Sequence, residues 1–140
     1  MKKVILIFIL IFVSAFGFKL MGKDNSDSAA KSNSTMFTGY LSDIMCAELN
    51  NGVRTDGVNL KLHPEKHTVA WMKTLPSAMS GYGLFIKGND NSYLFYRFDK
   101  KGTKLSKDLL KQTKKKEGIT VKVTGEIKNN ILCVESIQEI

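Results

Sequence analysis

Gly118-Ile-Thr-Val-Lys-Val-Thr-Gly-Glu-Ile-Lys-Asn-Asn-Ile-Leu-Cys-Val-Glu-Ser-Ile137 decides the fold of this chain. Ile119, Val121 and Val123 alternate with Thr120, Lys122 and Thr124, the period of a half-buried strand. Asn129-Asn130 suits a two-residue turn, because asparagine tolerates the left-handed backbone that such turns require. Folding the two strands about that turn sets Ile127 opposite Leu132 and Gly125 opposite Val134, and puts these on one apolar face with Val123, Val121 and Ile119. The other face mixes Lys122, Thr124, Glu126 and Glu135 with Ile131, Cys133 and Ile137. A mixed face predicts partial cover by another element.

Upstream, Phe37 to Asp43 reads as a first strand, with Phe37, Gly39 and Leu41 on one side. A glycine inside a strand points to a bulge or a close backbone approach. A long connection follows, rich in Asn and Gly from Asn50 to Asn59. Pro64 and Glu65 suit the start of a short helix. Val69, Ala70, Trp71, Met72 and Leu75 give that helix an apolar side, and Pro76 is expected to stop it. Tyr82–Lys87 and Ser92–Phe98 are the second and third strands. Asp99 to Gly102 reads as a turn, and Leu105, Leu109 and Leu110 mark a helix from Thr103 to Lys116, capped at Gly118. The expected fold class is mainly β with short helices: strand, long connection, strand, strand, helix, strand, strand, the order of a five-stranded OB-like barrel.

The N-terminus is of another kind. Lys2 and Lys3 precede the apolar run Val4–Val13, and Ser-Ala-Phe-Gly-Phe follows. That is the pattern of a secretory signal, with Ala15-Phe-Gly17 as the candidate cleavage site. An uncleaved anchor is the rival, although Val4–Phe18 is short against the ~20 residues of a spanning helix. Residues 1–18 are thus expected to be a signal or anchor, 19–34 a polar linker, and 35–140 the folded domain. The domain is expected outside the cytoplasm, secreted or tethered to the membrane by that apolar segment. The net charge is +8, with many lysines in Lys100–Lys104 and Lys111–Lys116. These read as a solvated basic helix face, or as a surface for anionic lipid, wall polymer or another polyanion.

Thr38-Gly-Tyr-Leu-Ser-Asp-Ile-Met-Cys46, His67, Ser80-Gly-Tyr-Gly83, Phe95-Tyr-Arg-Phe-Asp99 and Val121-Lys-Val-Thr-Gly125 together resemble a family of small exported bacterial proteins. The pattern of that family is a strand ending in Asp-x-x-Cys, then His-x-x-x-Cys, a further Cys and a closing hairpin. The resemblance implies a fold and export; it implies no activity. Asp43, Cys46 and His67 match the pattern. Trp71 and Ala78 stand where the pattern has its other two cysteines, so a bridge or thiolate site built from that set would be dismantled here. Trp71 is expected to pack against the barrel in place of the missing thiol. Cys133 lies outside the pattern, and Cys46 and Cys133 are expected to remain free thiols.

Three site chemistries can be weighed from the residues. Cys46, His63 and His67 could form a metal site for zinc or copper, with Asp43 and the thioethers of Met45, Met72 and Met79 as further donors. Pro64 places His63 at or before a helix start, which weakens the four-residue pairing of the histidines. Nucleophilic catalysis by Cys46 would need His67 as base and Asp43 to orient it. The aromatic strands Tyr82–Lys87 and Tyr93–Phe98 could stack bases, but export disfavours nucleic acid, and half of such residues must face the core. The reading that follows is an exported small binding or structural module of unassigned ligand, with no cofactor, rather than an enzyme. The alternatives are a metal-binding module on Cys46, His63 and His67, and a polyanion-binding basic surface.

Overall fold

The structure is a computed structural model and describes residues 34–140. The expected leader and most of the polar linker lie outside the described residues. The elements run β1 (Thr35–Asp43), α1 (Ile44–Glu48), α2 (Val69–Met72), α3 (Leu75–Ser80), β2 (Tyr82–Lys87), β3 (Tyr93–Phe98), α4 (Lys100–Gln112), β4 (Thr120–Lys128) and β5 (Ile131–Glu139). Two short 3-10 turns, Leu49–Gly52 and Pro64–Lys66, break the connection between β1 and β2. The molecule is mainly β, a five-stranded mixed sheet with short helices. Its pairings run β1-β2-β3-β5-β4 and return from β4 to β1, all antiparallel except β3 with β5.

The β4–β5 hairpin has the expected turn and the expected start of its register. Asn129 and Asn130 take left-handed φ of 52° and 63°. Ile127 pairs with Leu132 and Gly125 with Val134. Beyond that point a bulge shifts the register, so Thr124 faces Ser136 and Val123 faces Ile137. The extra residue moves Ile137 off the mixed face where simple alternation puts it, and it packs against the main core instead. That core is built from Leu41, Leu84, Val121, Val123, Leu132 and Val134 of the strands, closed by Val69, Met72 and Leu110 of the helices. Gly39 is the close approach that the sequence suggested: a Cβ there would lie 2.1 Å from the Phe85 carbonyl oxygen.

A second, smaller cluster lies between the first connection and the aromatic residues of β1, β2 and β3. Cys46, Ala47 and Leu60 bury Phe85 there, with Tyr40, Tyr93 and Phe95 at its margin. Phe85 and Phe95 rings stand 4.9 Å apart, and Tyr40 meets Tyr93 edge-on at 5.8 Å. These four rings are therefore packing residues, which removes most of the aromatic face a stacking site would need.

Three local expectations are corrected. Pro76 begins a helix, α3, instead of ending one; its fixed φ and missing N–H are tolerated in the first helical turn. Asp99 is the N-cap of α4, its Oδ1 accepting the Gly102 N–H at 2.8 Å, so the helix starts where a turn was expected. The same helix stops at Gln112 with Thr113 as its C-cap, so Gly118 caps nothing. Gly118, at φ 61°, instead lets the chain pass close to Glu65, whose carbonyl oxygen is 2.9 Å from where a Cβ would stand.

Val121 is fully buried at the centre of the core. Val121→Ala is expected to lower stability by roughly 1–3 kcal/mol through lost burial and the cavity left behind. A urea midpoint equal to that of the parent chain would contradict this placement.

Candidate functional site

Asp43 ends β1 and is the N-cap of α1, with its Oδ1 accepting the Cys46 N–H at 2.9 Å. The Asp-x-x-Cys spacing is therefore that of an N-cap and the backbone donor three residues on. His67 arrives from the far end of the connection. Its segment is pinned by backbone bonds to the residues before β4: Val69 N–H to the Lys116 carbonyl at 2.8 Å, and Gly118 N–H to the His67 carbonyl at 3.1 Å. That places His67 Nε2 2.7 Å from Asp43 Oδ2. Asp43, Cys46 and His67 are all buried, and one potential ligand atom from each lies within 4.8 Å of the others.

The electrostatics of the three groups are coupled. Burial pushes the Asp43 carboxyl up, but the His67 hydrogen bond, the Cys46 N–H bond and the charge of His67 outweigh it and hold Asp43 below its ordinary value. Burial and the neighbouring Asp43 charge push the Cys46 thiol up to about 12. Tyr82, paired with Asp43 across β1 and β2, is likewise pushed up to about 12 by burial and then by Asp43. At neutral pH Cys46 is thus a thiol, not a thiolate, and a poor nucleophile. His67 Nδ1 is buried with no hydrogen-bond partner among the described residues, as is Arg54 Nε.

Trp71 stands beside Cys46, where the resembled family carries a thiol. Its indole acts on the Cys46 thiol in the opposite sense to burial and Asp43, favouring the thiolate. It is less enclosed than expected, 38% exposed, with its outer face covered by the Arg54 guanidinium 5.4 Å from the ring centroid. Arg54 in turn donates to the Lys66 carbonyl at 3.1 Å and to Asp56 at 2.6 Å, tying the Asn- and Gly-rich loop to the His67 segment.

The residues weighed as metal ligands are divided by the structure. Cys46 and His67 come together. His63 stands apart, with an exposed ring whose Nδ1 is 3.2 Å from Glu65. Met72 is buried in the main core, and Met79 is exposed. Asp43, at first only a supplementary donor, joins the cluster; its N-cap spacing was the signal that could have ranked it higher. Cys46 and Cys133 are both free, Cys46 buried and Cys133 half-buried.

Of the lysines expected on a basic helix face, Lys100, Lys101, Lys104 and Lys111 do lie exposed on α4, and the rest of the second run does not. Lys111 lies in the last turn of α4, while Lys114, Lys115 and Lys116 belong to the segment leading to β4. Lys111 pairs with Asp108 at 3.0 Å and Lys115 lies 3.9 Å from Glu139.

A second feature is a groove of about 680 Å³ along β3, lined by Glu48, Leu94, Phe95, Tyr96, Arg97 and the β4–β5 turn through Ile131. β3 pairs with β5 only at Arg97 and Phe98, so the edge of β3 before Arg97 borders this groove. Arg97 and Glu48 make an ion pair at its rim. Comparison with family models, with curated proteins and with solved structures finds no match.

Two outcomes follow from this geometry. Because folding depresses the Asp43 pKa, its contribution is complete above the ordinary carboxyl value of about 3.9 and is lost as pH falls below it. Asp43→Asn should cost roughly 1.5–3 kcal/mol at pH 7, by removing a buried charge-assisted hydrogen bond to His67. The gap to the parent chain should narrow below about pH 4; urea midpoints at pH 7 and pH 3 measure it, and a pH-independent gap contradicts the pair. In the native chain at pH 8, a disulfide thiol reagent should label Cys133 well ahead of Cys46, with both labelled after denaturation. Fast labelling of both in the native chain would mean that Cys46 is accessible.

Proposed function

We propose that this chain is an exported binding module on an OB-type barrel, not an enzyme, and that its ligand lies in the β3 groove. The strand order β1-β2-β3-β5-β4, the parallel β3–β5 contact and the helix between β3 and β4 support that fold. The observation that carries the reading is where the groove lies. OB barrels take oligosaccharides and oligonucleotides on the face of their second and third strands, between the loops after strands one and four. Here those elements supply β3, Glu48 of the first connection and the Asn129–Asn130 turn. Fold places a ligand surface, and the side chains on it set the ligand class.

They favour a neutral polymer over a polyanion. Leu94, Tyr96 and Ile131 give an apolar platform, and Asn129 and Asn130 offer amides. The single cation, Arg97, is already matched by Glu48. An aromatic ring with amides around it suits a sugar ring, which has an apolar face and a hydroxyl rim. The basic and apolar N-terminus supports export, and hence an envelope oligosaccharide as the class of ligand. Against a nucleophilic enzyme stands the Cys46 thiol, buried and held protonated by its neighbours.

Titration of the labelled chain with a chito-oligosaccharide, followed by amide chemical shifts, tests the reading. Shifts should concentrate at Leu94–Arg97 and Asn129–Ile131. Tyr96→Ala should weaken binding about tenfold while leaving the fold intact. No shift at saturating sugar, or shifts centred on the lysine-rich segment, would oppose it.

A further inference from the structure

Asp43 spends both of its carboxylate oxygens inside the protein, one on the Cys46 N–H and one against His67. A carboxylate only accepts, so the proton in the 2.7 Å contact belongs to His67 Nε2. In the neutral ring this fixes the tautomer and leaves Nδ1 as a bare lone pair. That lone pair is buried and has no hydrogen-bond partner among the described residues. The ring is also held rigidly, because backbone bonds fix His67 on one side and Asp43 grips it on the other. A carboxylate that orients one imidazole nitrogen, with the other nitrogen left free, is the arrangement that commonly supports a metal-ligating histidine.

A sulfur lies near the same ring: Cys46 Sγ, one ring nitrogen of His67 and an Asp43 oxygen are within 4.8 Å of one another. The Cys46 thiol is buried beside Asp43 and Trp71. Two ligands of one zinc ion, each about 2.0–2.1 Å from it, stand more than 3 Å apart. The 2.7 Å Asp43–His67 contact is therefore a hydrogen bond, and Asp43 is the orienting group, not a ligand.

We propose that His67 Nδ1 and Cys46 Sγ bind one thiophilic ion, zinc or copper(I), with Asp43 holding the imidazole and Trp71 covering the sulfur side. Imidazole with thiolate selects these ions over magnesium or calcium. This inference does not rest on the groove or on its ligand. Binding forms a metal–sulfur bond and breaks the S–H bond, and the thiol proton leaves to solvent, one proton for each ion bound. It also differs from the pair of histidines that sequence spacing suggested, since His63 takes no part.

The chain contains one tryptophan, and it lies against the proposed sulfur ligand, so binding has a built-in optical signal. The reduced full-length chain is titrated with Zn2+ and, in a second arm, with Ag+ as a redox-inert substitute for copper(I). Trp71 emission and proton release are read in both arms, and Co2+ is used to look for a thiolate-to-metal band in the near ultraviolet. The expected result is a saturable change at one equivalent with one proton released. It should weaken at least tenfold in Cys46→Ser and in His67→Gln, and stay unchanged in His63→Gln and Cys133→Ser. Saturation by zinc alone or by silver alone supports the site and says which ion it takes. Because the parent chain is tested first, a misfolded variant cannot rescue the idea: no saturable binding by the parent overturns it. So does full binding by folded Cys46→Ser, or loss of binding in His63→Gln or Cys133→Ser.

Discussion

The hydrogen bond between Asp43 and His67 is the constraint on which the irregular half of this molecule depends. One carboxylate ends β1, starts α1 and holds the far end of the first connection. Without it, the connection would be tethered at His67 only by backbone bonds to the segment before β4. A buried carboxylate is costly unless its charge is matched by donors. Asp43 is matched by two, and its lowered pKa is the thermodynamic expression of that match.

The position of the connection then determines what the strands can present. By laying Cys46, Ala47 and Leu60 over Phe85, it turns an aromatic face into a second small core. What remains open on β3 is the stretch toward Arg97, where β5 meets it over only two residues. The groove is thus a consequence of incomplete pairing, and the buried cluster a consequence of complete packing. The two features lie at opposite ends of the scale of solvent access: the groove is open, and Asp43, Cys46 and His67 are buried.

Trp71 and Arg54 enclose the neighbourhood of Cys46 without a second thiol. The indole of Trp71 stands beside the Cys46 thiol, and Arg54 lies over the ring. A cation–π contact holds the ring, and Cys46 remains a free thiol.

Local rules determined much of this protein from sequence. Period-2 alternation and the Asn129–Asn130 turn were enough to set Ile127 against Leu132 and Gly125 against Val134, because hairpin register is a short-range property. Gly39 announced a close approach because no other residue fits there. The tertiary structure decided what depends on distant partners. Ile137 turned inward because of a bulge that alternation cannot foresee. Pro76 and Gly118 carry the residue types of a helix stop and a helix cap, yet their roles were set by where α3 packs and by how near Glu65 comes. Cys46 and His67 were legible as ligand types, and His63 was equally so. Only folding brought His67 to Asp43 and left His63 in solvent, because the separation of two side chains in space is set by the packing of the whole connection and not by their four-residue spacing.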